Sequence, residues 1–119
     1  MATTFSSLRC RTDALRERVL GASGLGAFQP KLATRLELAV VSGDLARSSC
    51  SDRRHGQAKA RLRQATNAFA RYVRKLDSRK ARGTLDAAMR YDLRQAGEAI
   101  VADVQLLRAH LVCPGDAAR

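Results

Sequence analysis

The chain has 119 residues, which is the length of one domain. With 45% hydrophobic and 28% charged residues, the composition is typical of a globular protein and excludes a disordered tail. Twenty-two basic residues against eleven acidic ones give a net charge of +11, which excludes a neutral surface but does not name a partner. No apolar run approaches the ~18 residues of a membrane span, so we predict no transmembrane segment.

The first half of the chain predicts two helices. Apolar residues recur at steps of three and four from Phe5 onward, and no strand-like alternation competes with this spacing. We predict a first helix over residues 5–20, ended by the glycine-rich segment 21–26, and expect it to be the shortest and most loosely packed. A second helix is predicted over residues 30–50, with Pro30 in its first turn.

The second half of the chain predicts two longer helices. A third helix is expected over residues 53–77, with Ser51 or Asp52 as its N-cap. A fourth helix is expected over residues 84–112, with Thr84 as its N-cap.

Four amphipathic helices joined by short loops predict an all-α fold, an antiparallel up-down-up-down four-helix bundle. We expect one domain over residues 1–119. Because an isolated helix of this length is not stable by itself, each apolar stripe is expected to face the core rather than to form a binding groove. Six of these side chains are predicted to be nearly fully buried: Leu62, Phe69, Leu93, Ile100, Val104 and Leu107.

Up-down topology brings Cys10, Cys50 and Cys113 to the same end of the bundle. This clustering favours a disulfide and an oxidising compartment. Height along the bundle makes Cys50 and Cys113 the better-matched pair. Two alternatives stay open: three buried free thiols, or a zinc site in which His110 joins the three cysteines, with His55 near the same end. We predict the disulfide and no metal.

The positive charge is concentrated in one part of the sequence. Residues 53–82 contain eleven basic side chains and one acid, Asp77. The third helix is therefore expected to carry a basic outer face that continues into a loop over residues 77–83. Such a face could bind nucleic acid, acidic polysaccharide or an anionic membrane, or could be only a solvated surface of an arginine-rich protein. The candidate anion-binding residues are Arg61, Arg71, Arg74, Lys75, Arg79, Lys80 and Arg82.

Several catalytic patterns are missing from the sequence. None of the glutamates Glu17, Glu37 and Glu98 is followed three residues later by histidine, as a di-iron bundle requires. The segment from Gly21 to Gly26 matches no phosphate-binding loop and follows a predicted helix rather than a strand. We therefore predict that the chain is not an enzyme and has no cofactor and no small-molecule substrate.

Residues 31–107 carry an apolar framework that consists of Lys31-Leu32, Leu36, Ala39, Ala58 to Leu62, Phe69 to Val73, Gly83-Thr84-Leu85, Leu93, Ala96 and Ile100. This framework resembles that of the FIMAH-type helical domains. These domains are mostly C-terminal or linking modules of bacterial secreted and cell-surface proteins. The resemblance implies an accessory domain without catalytic residues that is extracellular in its parent protein.

Because of this resemblance, our leading hypothesis is a non-catalytic accessory or interaction domain of a bacterial secreted or cell-surface protein. Its expected partners are a polyanion or other domains of a parent protein. The alternative is a small cytoplasmic nucleic-acid-associated protein that uses the basic face of the third helix. The first residues lack the apolar run of a signal peptide and carry charge from Arg9. An extracellular location is therefore expected only as part of a longer protein.

Overall fold

The computed structural model describes residues 4–116, which form five α-helices and no strand. The all-α prediction is confirmed. Four of the helices are long, between 17 and 24 residues, and the fourth in chain order has only 6. Their bounds are α1 Phe5–Gly21, α2 Phe28–Ser51, α3 His55–Asp77, α4 Arg79–Thr84 and α5 Ala87–Ala109.

Side-chain caps fix the starts of three helices. At α1, the Thr4 hydroxyl accepts a hydrogen bond from the Ser7 backbone N–H, and the Ser7 hydroxyl accepts one from the Thr4 N–H. The Asp86 carboxylate caps α5 by accepting from the Met89 N–H at 2.9 Å. The Ser78 hydroxyl caps α4 by accepting from the Ala81 N–H. Each cap satisfies a donor that has no partner inside its helix.

The predicted N-caps of the third and fourth helices are wrong. Helix α2 continues through Ser51, and α3 begins after Arg54, which makes no capping hydrogen bond through its side chain. Thr84 ends α4, where its hydroxyl donates to the Lys80 carbonyl instead of starting a helix. The strong capping preference of Asp86 outweighs that of Thr84, because the chain is still helical at Thr84.

The predicted basic loop over residues 77–83 is also wrong in part, since most of it is α4. A short helix forms there because Ser78 caps it and Ala81 on its inner side is completely buried. Leu85, directly after α4, is buried too. These two apolar side chains anchor the segment to the core and hold its basic side chains on the outside.

Each long helix packs mainly against two others. Helix α1 contacts α2 and α5, and α3 contacts α2 and α5. The resulting body is elongated, 54 Å by 23 Å by 22 Å. Helix α1 is not loosely packed as expected, because Leu8, Leu15 and Val19 are all at most 4% exposed. Its apolar side chains are few, but all of them on this face reach the core.

Five of the six predicted core side chains are nearly fully buried. Leu62, Phe69, Leu93, Ile100 and Val104 are between 0% and 4% exposed. The sixth, Leu107 in the last turns of α5, is only partly buried and packs at the edge of the core. The prediction of near-full burial is wrong for that residue. The predicted fourth helix is also too long, since α5 ends at Ala109.

Helices α3 and α5 approach closely at Gly97. A Cβ atom at this position would lie 2.6 Å from Cε1 of the Tyr72 ring, closer than real contacts allow. The Tyr72 hydroxyl crosses the interface and donates a hydrogen bond of 2.8 Å to the Leu93 carbonyl. Burial raises the pKa of the Tyr72 phenol well above its usual range. Gly97 thus makes room for a buried hydrogen bond between α3 and α5.

The turn between α1 and α2 depends on two glycines with left-handed backbone. Gly24 has a φ of 88° and Gly26 a φ of 55°, and Leu25 between them is 1% exposed. The Gln29 amide nitrogen lies within hydrogen-bonding distance of the carbonyls of Val19 and Leu20. The start of α2 thereby supplies donors for carbonyls at the end of α1.

Candidate anion-binding surface

A disulfide closes one end of the molecule, which we call the disulfide end. Cys50 in the last turn of α2 is bonded to Cys113, four residues after α5, with the two Cα atoms 5.0 Å apart. The predicted pairing is confirmed. Cys10 is exposed and free. The zinc set of three cysteines is therefore not assembled, since two of its thiols are spent in the disulfide and His110 is exposed.

Polar contacts hold the segment after α5 at the same end. His55 Nδ1 lies 2.7 Å from the Asp116 carboxylate, which also accepts a hydrogen bond from the Cys113 backbone N–H at 2.7 Å. Ligand atoms of His55, Cys113 and Asp116 lie within 4.8 Å of one another. With Cys113 sulfur bonded to Cys50, this group offers no thiolate for a metal ion. The arrangement serves to dock the C-terminal segment.

Acidic side chains on α1, α2 and α5 are largely neutralised by arginines. Several of these ion pairs join neighbouring helices, as in Arg9 with Asp44 and Arg16 with Glu37, which link α1 to α2. The remaining arginine–carboxylate pairs among residues 4–116 are Arg9–Asp13, Arg11–Asp103, Arg90–Asp77, Arg94–Asp77 and Arg94–Glu98. Most of the acidic side chains therefore pair with arginines that lie outside the basic segment, residues 53–82.

Asp77, the single acid of the basic segment 53–82, pairs with an arginine on another helix. The Asp77 carboxylate accepts a hydrogen bond of 2.6 Å from Arg94 on α5. This hydrogen bond raises the pKa of the Arg94 guanidinium. Asp77 therefore leaves the cations on α3 and α4 without a carboxylate next to them.

The seven candidate residues form no ion pair within the part of the chain that the structure describes. Five of them are exposed, and Arg61 and Lys75 are half-buried. Six come together at the end of α3 and on α4, and we call this region the basic end; it comprises Arg71, Arg74, Lys75, Arg79, Lys80 and Arg82.

Arg61 lies apart from the other six candidates. It is ten residues before Arg71, the nearest of the six, about 15 Å along α3, and donates a hydrogen bond to Gln64 on its own helix. Charge density along the sequence could not separate it from the rest. The helix geometry does so, because ten residues are almost three turns.

Helix α2 adds two cations that the sequence interpretation missed. An open pocket of about 410 Å³ between the start of α2 and the end of α3 is lined by Lys31, Arg35 and Lys75, together with Pro30 and Thr34. We call it the cationic pocket. The sequence could have indicated these two cations, because the predicted antiparallel pairing of the second and third helices places the first turns of one beside the last turns of the other.

The chemistry of this surface suits anions. Arginine presents planar pairs of donors to phosphate, sulfate or carboxylate oxygens, and lysine adds a compact point charge. Stacking on nucleic-acid bases is not offered, because the aromatic residues of α3 are Phe69 and Tyr72 and both are buried. The surface can therefore recognise charge, and α3 offers it no exposed aromatic ring for stacking on a base.

The chain matches no protein-family model, no curated protein and no solved structure. Among residues 4–116, none of the helices combines the length and the hydrophobicity needed to cross a bilayer. The fold and the surface together define an all-helical domain with a disulfide at one end and unneutralised cations at the other.

Proposed function

We propose that the chain is a non-catalytic helical module that binds polyanions through its basic end. One observation carries this proposal: the clustered cations at the end of α3 and on α4 form no ion pair among the described residues, whereas five arginines of α1 and α5 pair with carboxylates. Clustered unpaired cations raise the local positive potential, which attracts polyanions and favours their association. The cationic pocket extends the same potential onto α2.

The proposed module is an up-down-up-down bundle of α1, α2, α3 and α5. Short connections over residues 22–27 and 52–54 support antiparallel neighbours, and the contact of α1 with α5 closes the ring of four helices. In this arrangement α4 is an insertion that caps one end. The topology matters for function because it brings Lys31 and Arg35 beside Lys75.

We further propose an extracellular or cell-surface location, with the chain serving as an accessory domain of a longer protein. The Cys50–Cys113 disulfide supports this, since such bonds persist in oxidising compartments. The likeness of the apolar framework to FIMAH-type domains points in the same direction. An intact disulfide in protein isolated from its native cells would support the location, and two reduced thiols at Cys50 and Cys113 would contradict it.

The polyanion proposal is tested by binding to heparin and to duplex DNA at low and near-physiological salt. The variant R71Q/R74Q/K75Q removes three cations from the basic end. The control variant R18Q/R47Q/R108Q removes the same charge from arginines that lie outside the basic end and form no ion pair in the described chain. Equal net charge isolates the effect of position.

We expect the basic-end variant to bind both polyanions about tenfold more weakly than the control variant. The salt dependence should become shallower by about one unit of slope for each side chain that contacts a phosphate or sulfate. Affinity should vary little among duplex sequences, because phosphate contacts carry no sequence information. Equal weakening in both variants, or no binding at low salt, would overturn the proposal. A strong preference for one duplex sequence would replace it by specific nucleic-acid recognition, the alternative that the sequence raised.

A further inference from the structure

Helix α2 carries three large aliphatic side chains on its solvent side. Leu38 is 46% exposed, Val41 54% and Leu45 41%. Their spacing of three and four residues places them on one face of the helix, along about 10 Å of its axis. We call these three residues the apolar row. Exposed large apolar residues elsewhere in the described chain are not spaced along one helix face in this way: Leu20, Tyr91, Leu106 and Val112.

The apolar row lies beside the cations of α3. Thr34 is four residues before Leu38 and therefore on the same side of α2. Thr34 lines the cationic pocket together with Lys75 of α3. The start of α2 thus borders the end of α3, and the short connection of residues 52–54 joins their other ends, so the two helices run antiparallel. Arg71, one turn before Lys75, lies on the α3 flank that faces the same side.

The two flanks of α2 differ in their charge balance. Toward α1, Glu37 and Asp44 are neutralised by Arg16 and Arg9. Toward α3, the cationic pocket and Arg71 have no carboxylate partner among the described residues. The α2–α3 face therefore presents aliphatic side chains next to unneutralised cations.

We infer that the α2–α3 face docks onto the surface of an anionic lipid bilayer. The apolar row enters the boundary between headgroups and acyl chains, and the flanking cations contact lipid phosphates. Aliphatic residues beside lysine and arginine are the pattern of helices that lie in this interface, and each cation near an anionic surface adds attraction. This inference rests on the proposed function and names the partner of the same surface.

Two other occupants fit this face less well. A nucleic acid would contact the cations but leave the three aliphatic side chains in water, because its backbone offers no apolar surface. A second copy of the chain would cover the apolar row but bring two sets of unneutralised cations together. An anionic bilayer is the partner that satisfies the aliphatic and the cationic side chains at once.

Vesicle co-sedimentation tests the inference. We expect binding to vesicles of phosphatidylcholine mixed with phosphatidylglycerol and none to phosphatidylcholine alone. The variant L38Q/V41Q/L45Q should bind the anionic vesicles about tenfold more weakly, while heparin binding changes by less than about twofold. The matched control L20Q/L106Q/V112Q removes three equally apolar exposed side chains from other places. It should bind the vesicles like the unaltered chain.

A second measurement does not depend on the triple variant folding. The chain contains no tryptophan, so Val41→Trp introduces a single fluorescent reporter in the apolar row. Its emission should shift to shorter wavelength with anionic vesicles, because the indole leaves water. The control Tyr91→Trp, on α5 at a site with 59% exposure, should not shift.

The outcomes separate this inference from the proposed function. Heparin binding without binding to anionic vesicles overturns the bilayer inference and leaves polyanion binding in place. Equal loss of vesicle binding in both glutamine triples, or equal shifts in both tryptophan variants, also overturns it. Vesicle binding that is lost in L38Q/V41Q/L45Q and kept in its control supports it. Binding to neither heparin nor vesicles overturns both.

Discussion

The two ends of the molecule differ in how the chain is held in place and in how its charges are balanced. At the disulfide end, the covalent bond and the contacts of Asp116 with His55 and the Cys113 N–H hold the segment after α5 in place. At the basic end, about 30 Å away along α3, cations crowd together without carboxylates. The disulfide end is therefore held together by contacts within the chain. At the basic end, the cations have no carboxylate partners among the described residues.

The difference follows from how few acids are available. Eleven acidic residues face twenty-two basic ones, and the arginines of α1 and α5 hold many of them. The unpaired cations of the basic end therefore repel one another, and packing of the core has to offset this repulsion. We therefore expect changes at the disulfide end to act on stability and changes at the basic end to act on binding.

The largest effect is expected from removing the disulfide. The bond joins residues separated by 63 positions, and in the chain-entropy model such a loop contributes about 4 kcal/mol to the free energy of unfolding. The variant C50S/C113S should lose about that much stability in denaturant unfolding while still binding heparin when folded. The control Cys10→Ser should be unchanged, because Cys10 is exposed and free. A stability loss below about 1 kcal/mol would show that the polar contacts of Asp116 suffice to close this end.

A smaller effect is expected at the α3–α5 interface between the two ends. Gly97→Ala forces the Tyr72 ring to move, which costs about 1–3 kcal/mol of overpacking, partly offset by the better helix propensity of alanine. We expect a net loss of about 1–2 kcal/mol in thermal or denaturant unfolding. The control Gly56→Ala has open space around its new Cβ and should be neutral or slightly stabilising. Equal behaviour of the two variants would contradict the close approach.

Tyr72 should make stability sensitive to alkaline pH. Its pKa is raised by burial in the folded state, so the folded chain keeps a proton that the unfolded chain releases above about pH 10. Stability should therefore fall above that pH, by at most about 1.4 kcal/mol per pH unit from this group. Tyr72→Phe should cost about 1 kcal/mol at neutral pH through the lost hydrogen bond, and should abolish this part of the alkaline dependence.

The comparison for this prediction is Tyr91→Phe, because Tyr91 is 59% exposed. We expect Tyr91→Phe to leave stability unchanged at neutral and at alkaline pH. If both phenylalanine variants remove the same alkaline dependence, burial of Tyr72 is not its source.

The smallest effect on stability is expected at the basic end. The variant R71Q/R74Q/K75Q should change the free energy of unfolding by less than about 0.5 kcal/mol, because its side chains lie off the buried stripe and form no ion pair in the described chain. A gain in stability would show that cation repulsion strains this end. A loss above about 1 kcal/mol would mean that these side chains hold the fold together, and the contrast between the two ends would fail.

The sequence by itself determined the helical class and most of the core. Helical spacing identifies Leu62, Phe69, Leu93 and Ile100 as buried, because a stripe of apolar residues has to leave water wherever the helix packs. It also identified the pairing of Cys50 with Cys113, since helix rise fixes the height of each cysteine. The prediction of the core needs no knowledge of which helix lies beside which, whereas the cysteine pairing also used the predicted up-down topology.

Only the tertiary structure determines which charged side chains pair and which cations lie together. Sequence counting grouped Arg61 with the basic end, but almost three helical turns separate it from Arg71, the first residue of that end. It also missed Lys31 and Arg35, because their place beside Lys75 depends on packing between α2 and α3. Asp77 illustrates the reason: it follows Leu76 in the basic segment, yet its carboxylate bonds to Arg94 on another helix. Hydrophobic periodicity acts along one helix, whereas electrostatic pairing acts through space between helices.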